Sequence, residues 1–166
     1  MERLSKWQSQ LFFEHFSLTP NHILAGYWPL NDECDTRPLL ENIYHRGVRV
    51  CLPRVEESAL VFHLWHPQDP LTQSPRGIQE PLRTQITCNP THILAPLMLF
   101  DSQGYRLGYG GGFYDRALAS LHEENPSLTT IGYAFECQYV DFLPHDRQDW
   151  PLDYVITPEK VYSFKR

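Results

Sequence analysis

The chain has 166 residues, 42% of them hydrophobic and 20% charged, with a net charge of −6. That length suits a single domain spanning 1–166 with a sizeable core, and the acidic balance argues against non-specific nucleic-acid binding. No apolar run reaches the length of a membrane span, and Glu2, Arg3, Lys6 and Glu14 break any leader-like stretch, so no membrane partner and a cytoplasmic location are expected.

Residues 3–16 predict an amphipathic helix with Leu4, Leu11, Phe12 and Phe16 near one stripe, ended by Thr19-Pro20-Asn21. Residues 22–28 read as a buried strand. Asp35 or Thr36 can cap a helix over 37–46, with Pro38 in its first turn and Gly47 at its end. A strand at 48–52 completes a βαβ unit. Residues 53–65 predict a hairpin turning near Glu56-Glu57-Ser58. Residues 66–91 carry Pro67, Pro70, Pro75, Pro81 and Pro90 and predict an extended, mostly irregular excursion. A strand follows at 92–100, where Pro96 implies an edge, a bulge or the strand's end. Then come a helix at 113–123, strands at 129–135 and 154–157, and a short edge strand at 161–164. Strands alternating with helices give an α/β fold with a layered, mostly parallel sheet, whose ligands belong beyond the C-terminal strand ends.

Cys34, Cys51, Cys88 and Cys137 are irregularly spaced without a Cys-x-x-Cys, so free thiols are expected. His63 and His66 fall on a strand, where residues three apart point to opposite faces, so no histidine metal site is expected.

The most informative segment is 104–116. Five of the nine glycines fall at 104, 108, 110, 111 and 112, directly before the helix that starts at Phe113. A flexible turn feeding a helix N-terminus offers free N–H groups and the positive end of a dipole, a site for phosphate. Arg106 adds a cation and Asp115 a carboxylate suited to phosphate-bound Mg²⁺. On its loop, Arg106 is expected to be exposed and to contribute little stability. The segment fits neither a Walker loop, which ends in Gly-Lys-Ser/Thr, nor a dinucleotide fingerprint, because position 113 is Phe.

Arg106-Leu-Gly-Tyr-Gly-Gly-Gly-Phe-Tyr-Asp-Arg116 resembles the signature of the 5-formyltetrahydrofolate cyclo-ligase (methenyltetrahydrofolate synthetase) family. Three more pieces agree in order: Glu33-Cys-Asp-Thr36, Gly77-Ile-Gln-Glu-Pro81, and Asp149 with Asp153-x-Val-x-Thr157. The resemblance implies ATP-dependent conversion of 5-formyltetrahydrofolate to 5,10-methenyltetrahydrofolate through phosphorylation of the formyl oxygen, with ATP as co-substrate and Mg²⁺ as cofactor. It implies ATP contacts from Arg106, Leu107, Gly108, Tyr109, Gly110, Gly111, Gly112, Phe113 and Tyr114, with Arg106 catalytic. Folate contacts fall to Trp28, Glu33, Tyr109, Gly110, Gly111, Gly112 and Phe113. Asp115 and Asp149 would hold the metal, with Asp153 the alternative to Asp149. Glu80 is either near the ligand or structural. The partners implied are the two small-molecule substrates, with the protein a monomer or weak homodimer.

The chain departs from the pattern at its N-terminus. The family begins with a helix whose Lys and Arg reach the ATP phosphates, and residues 2–16 supply only Arg3 and Lys6, out of that context. The chain therefore reads as lacking that first helix, which leaves open a catalytically weakened folate- or nucleotide-binding member of the same fold. A third reading, a sugar-phosphate enzyme, would need Glu33 or His145 as a general base.

Overall fold

The computed structural model describes residues 2–30 and 32–164. In chain order these form α1 (Glu2–His15), β1 (Ile23–Ala25), α2 (Arg37–His45), β2 (Arg49–Glu56) and β3 (Ala59–Leu64). Next come two short strands, β4 (Leu71–Gln73) and β5 (Gln79–Pro81), then β6 (His92–Ala95), β7 (Leu99–Phe100) and β8 (Arg106–Leu107). The last part holds α3 (Phe113–Glu124), β9 (Thr129–Tyr133), β10 (Tyr154–Ile156) and β11 (Val161–Ser163).

Seven of the strands make one sheet in the order β11–β10–β9–β6–β1–β2–β3. The inner pairings from β2 through β10 are parallel, and only the two edge strands, β3 and β11, are antiparallel. Strand alternation sets the two layers. Leu24, Val50, Leu52 and Leu94 face α1 and α2, packing on Phe12, Leu39, Leu40 and Ile43. Their neighbours Ile23, Ala25, Cys51 and Ile93 face the other way, onto Leu118 of α3. A sheet covered on both faces needs apolar residues on both, which is why Ile23-Leu24-Ala25 and Ile93-Leu94-Ala95 are continuous apolar runs.

The expected strands are here, with bounds that differ for local reasons. The strand at 22–28 shrinks to Ile23–Ala25, because Gly26 is pressed onto Leu40: a Cβ there would lie 2.5 Å from a Leu40 methyl. The strand at 92–100 is cut at Pro96 into β6 and β7. The strand at 48–52 runs on through Pro53 to Glu56, since β1 pairs only as far as Cys51 and the missing N–H breaks no ladder bond.

The excursion at 66–91 is more ordered than its prolines suggest. It contains the β4–β5 hairpin, and residues 86–88 cover the outer edge of β3 through Leu64 N–H to Ile86 O (2.7 Å) and Cys88 N–H to Phe62 O (2.9 Å). The β7–β8 pair was also not expected. It is closed by buried Asp101, whose carboxylate accepts the N–H groups of Gln103, Tyr105 and Leu143 at 2.9–3.0 Å.

The connection from β1 to β2 passes through α2 on one face, and that from β6 to β9 through α3 on the other. The chain therefore reverses its direction across the sheet between β1 and β6, and the loops leaving their C-terminal ends diverge there. Open α/β sheets bind ligands in that crevice.

Candidate functional site

A cleft of about 350 Å³ opens where β1 and β6 end. Tyr27 and Trp28 follow β1, Pro96 follows β6, and the segment from Arg106 to Asp115 forms much of the wall. Of the residues named from the sequence, Trp28, Glu33, Arg106, Leu107, Gly108, Tyr109, Gly110, Gly111, Gly112, Phe113, Tyr114, Asp115 and Asp149 line this one cleft, and the alternatives Asp153 and His145 do not. A larger hollow of about 650 Å³ lies between β3 and α3, but of these residues it touches only Phe113.

The glycine loop turns sharply into α3. Gly110 (φ +93°) and Gly112 (φ +66°) hold the left-handed backbone that other residues rarely adopt. Gly112 is the N-cap of α3 and brings no side-chain acceptor. Among the described residues, no acceptor takes the backbone N–H groups of Gly108 to Gly112, so they stay available to a ligand. Space matters as well as conformation: a Cβ on Gly108 would sit 2.8 Å from Arg106 Nη1.

Arg106 is not the exposed loop cation expected from the sequence. Its side chain is only 6% exposed, because β8 pairs with β7 and turns the guanidinium inward. Nη1 donates to Pro96 O at 3.2 Å, Nη2 lies 3.7 Å from Asp115 Oδ1, and the buried Nε has no hydrogen-bond partner among the described residues. Burial pulls the guanidinium below the usual arginine value, opposed by the carboxylate of Asp115, by Tyr114 and by Asp149. It stays protonated. A buried cation with an unspent donor is a strong attractor for an anion. The buried Tyr114 hydroxyl is likewise unpartnered, and burial pushes its pKa up.

Asp115 and Asp149 face the same cleft. Asp115 Oδ1 accepts the Trp150 N–H at 3.0 Å, which ties the start of α3 to the segment carrying Asp149. Asp149 Oδ2 accepts the Asp146 N–H at 2.9 Å. The second oxygen of each carboxylate enters no hydrogen bond among the described residues. Asp153 is differently placed: its Oδ2 accepts both the N–H (2.9 Å) and the hydroxyl (3.2 Å) of Thr130 on β9, away from the cleft lining. Among the described residues no cluster of three or more His, Cys, Asp or Glu forms a protein metal cage. Two carboxylates with free oxygens would nevertheless suit a phosphate-bound Mg²⁺, which keeps waters and phosphate oxygens as its other ligands.

On the opposite wall, Glu33 Oε1 accepts the Leu30 N–H at 2.7 Å, and Tyr109 lines the cleft beside it. Burial still pushes Glu33 above the ordinary carboxylate range. Trp28 stands on Trp65 edge-on, with ring centroids 6.0 Å apart, and offers an aromatic face to the cleft. Glu80 lines the cleft but is committed to the fold, accepting the Val55 N–H at 2.8 Å beside Arg54 (3.8 Å).

His145 is not in the lining. It stacks on Tyr105 at 3.5 Å and bonds to Leu143 O, so of the two alternative general bases only Glu33 lines the cleft. Lys6 faces a separate hollow with Phe13 and Arg46, and Arg3 does not line the cleft either. Sequence reasoning missed Arg76, which reaches the cleft from the β4–β5 turn. Its only signal is its place immediately before the Gly77-Ile-Gln-Glu-Pro81 piece. Among the described residues no helix is long and apolar enough to cross a membrane, and all four cysteines are free.

Comparison with known proteins identifies the family and the fold. The family model for the 5-formyltetrahydrofolate cyclo-ligase family matches residues 5–158. The chain is 37% identical over 150 residues to the 5-formyltetrahydrofolate cyclo-ligase of Escherichia coli K12, covering 86% of this chain and 81% of that protein. It is 35% identical over 136 residues to the Haemophilus influenzae enzyme of the same name, covering 78% and 72%. Among solved structures, the Aquifex aeolicus 5,10-methenyltetrahydrofolate synthetase superposes with a TM-score of 0.78 at 28% identity, covering 99% of this chain and 84% of that one. The family-model match and the extent of sequence identity make this chain a member of the 5-formyltetrahydrofolate cyclo-ligase family.

Proposed function

We propose that the protein converts 5-formyltetrahydrofolate to 5,10-methenyltetrahydrofolate with consumption of ATP and dependence on Mg²⁺. The observation that carries this is the meeting, in one cleft, of unspent backbone N–H groups, a buried guanidinium with an unpartnered Nε, and two carboxylates with free oxygens. That set suits the polyphosphate of ATP, and the Glu33–Trp28 wall opposite suits a planar, hydrogen-bonding pterin.

In this scheme the formyl oxygen attacks the γ-phosphorus and ADP leaves. N10 then attacks the activated formyl carbon, the C–O bond to phosphate breaks, and the N10 proton goes to solvent. The substrate supplies its own nucleophiles, so the protein's work is alignment and charge neutralisation. The N–H groups of Gly108 to Gly112 cradle phosphate oxygens at the positive end of α3. Arg106, held by Pro96 and Asp115, sets a fixed positive charge against the moving phosphoryl group. Glu33 accepts hydrogen bonds from the pterin N–H groups, and Tyr109, Phe113 and Tyr114 close the space between the two ligands. Asp115 and Asp149 would hold Mg²⁺, which supplies neutralisation of phosphate charge. The free cysteines fit a reducing compartment, and we place the protein in the cytoplasm.

The test is to mix the purified protein with 5-formyltetrahydrofolate, ATP and Mg²⁺ and follow the near-ultraviolet absorbance of the methenyl product. A rise that needs both ATP and Mg²⁺ is expected. A folded protein that binds ATP or folate without forming product would instead be the weakened binding member, a reading favoured by the position of Arg3 and Lys6 outside the cleft.

A further inference from the structure

The cleft lining holds four carboxylates, Glu33, Glu80, Asp115 and Asp149, against two guanidiniums, Arg76 and Arg106. A polyanion entering such a cleft needs every cation there. Arg106 is buried and fixed, but Arg76 is exposed and presented by a well-bonded turn. Ser74 Oγ accepts the N–H groups of Arg76 (3.3 Å) and Ile78 (3.2 Å), and the Ser74 and Ile78 backbones close the hairpin at 2.9 Å. Gly77, at φ +80°, completes the turn.

This turn sets the Arg76 guanidinium 4.3 Å over the Phe113 ring, with Nη1 3.7 Å from where a Cβ on Gly111 would lie. Arg116 also approaches that ring, at 5.1 Å, but both of its terminal nitrogens are held by the fold, through Gly111 O (3.0 Å) and Ser58 O (3.2 Å). Arg76 makes no ion pair or side-chain hydrogen bond among the described residues. An exposed cation–π contact is weak beside a guanidinium–phosphate pair, so the group is free to exchange one for the other.

We propose that Arg76 is a phosphate-contacting residue: its guanidinium leaves the face of Phe113 and takes outer phosphate oxygens of ATP lying on the loop from Gly108 to Gly112. The proposal rests on ATP occupying this cleft. It assigns to the β4–β5 hairpin a cationic cover that α1 does not provide, since Arg3 and Lys6 lie outside the lining.

The experiment compares wild type, Arg76→Ala and Arg76→Lys for binding of AMP and of a non-hydrolysable ATP analogue with Mg²⁺, by titration calorimetry, and for the KM of each substrate. Arg76→Ala is expected to weaken the ATP analogue about tenfold and leave AMP unchanged. Arg76→Lys should recover part of the loss, with thermal midpoints unchanged in both variants. The KM for ATP should rise while that for the folate stays. Equal affinity for the ATP analogue in all three proteins overturns the proposal. So does an equal loss for AMP and the analogue, which would mean that Arg76 only shapes the cleft through Phe113. A rise confined to the folate KM also overturns it. A wild type that binds the analogue through Arg76 but makes no methenyl product upholds this proposal and defeats the turnover reading. One that does not bind the analogue defeats both.

Discussion

Two glycine-bearing turns lie within nine residues of each other and do opposite work. At Asp101–Gly104 every conspicuous polar group is used internally: the Asp101 carboxylate takes three N–H groups, and the Gly104 carbonyl accepts the Leu152 N–H at 2.8 Å. At Gly108–Gly112 the backbone N–H groups have no acceptor among the described residues, and the adjoining Arg106 Nε is buried without one. The N–H groups of the second turn face solvent, whereas a buried polar group is normally satisfied, so it is the unpartnered Arg106 Nε that sets this turn apart from the first, which is a joint of the fold. Glycine content alone does not separate them. What does is where the hydrogen bonds go.

The sharpest way to break the comparison is Arg106→Ala. If the second turn exists for a transferring phosphoryl group, turnover falls about 10²–10³-fold. Because Arg106 is buried between Pro96 O and Asp115, the unfolding midpoint also drops measurably, contrary to the expectation for an exposed loop charge. Equal turnover in the variant, measured with both substrates saturating, would remove Arg106 from the mechanism.

Next in size is the glycine contrast itself. Gly104 sits at φ +87°, and an added Cβ would meet Leu152 O at 2.7 Å and the Phe164 ring at 2.9 Å. Gly104→Ala should cost about 2–3 kcal/mol of stability by chemical denaturation, while activity per folded molecule holds. Gly110, at φ +93°, has nothing within 4 Å of its Cβ position. Gly110→Ala should therefore cost only about 1 kcal/mol of stability, yet reduce the affinity for ATP by disturbing the N–H cradle. Equal stability losses in the two variants, with equal activity, would erase the distinction.

Much of this was legible in the chain. The apolar runs around Leu24 and Leu94 declare strands buried on both faces, and Phe113 to Glu124 declares its helix. That the candidate residues share one cleft was legible because the loops carrying them gather beyond the strand ends of an open α/β sheet. Three things were not. The β4–β5 hairpin hides in a proline-rich stretch, because its order comes from contact with β2 and from Ser74, not from alternation. Arg106 looked exposed because a two-residue strand such as β8 leaves no periodic pattern to show which way a side chain turns. The placement of Asp153 outside the cleft lining depended on Thr130 of β9, which satisfies its carboxylate from a distant part of the sequence.

The smallest effect tests the folate wall against the phosphate wall. Glu33 is half-buried, and its carboxyl lies above the ordinary range chiefly because burial disfavours its charge. The folded state therefore holds this proton more tightly than the unfolded chain does. The stability tied to it is complete below the ordinary carboxylate value of about 4.3 and is lost as pH rises through the raised folded value. Above that folded value the ionised Glu33 is thus a liability to the fold. Glu33→Gln removes the charge and leaves an oxygen to accept the Leu30 N–H. Its thermal midpoint should exceed that of the wild type at pH 7, with the gain shrinking toward pH 4. The KM for the folate should rise and that for ATP should stay constant, because the phosphate wall is untouched. A gain that does not change with pH would show that Glu33 is destabilising for some reason other than its charge, and an unchanged folate KM would take the carboxylate out of pterin recognition.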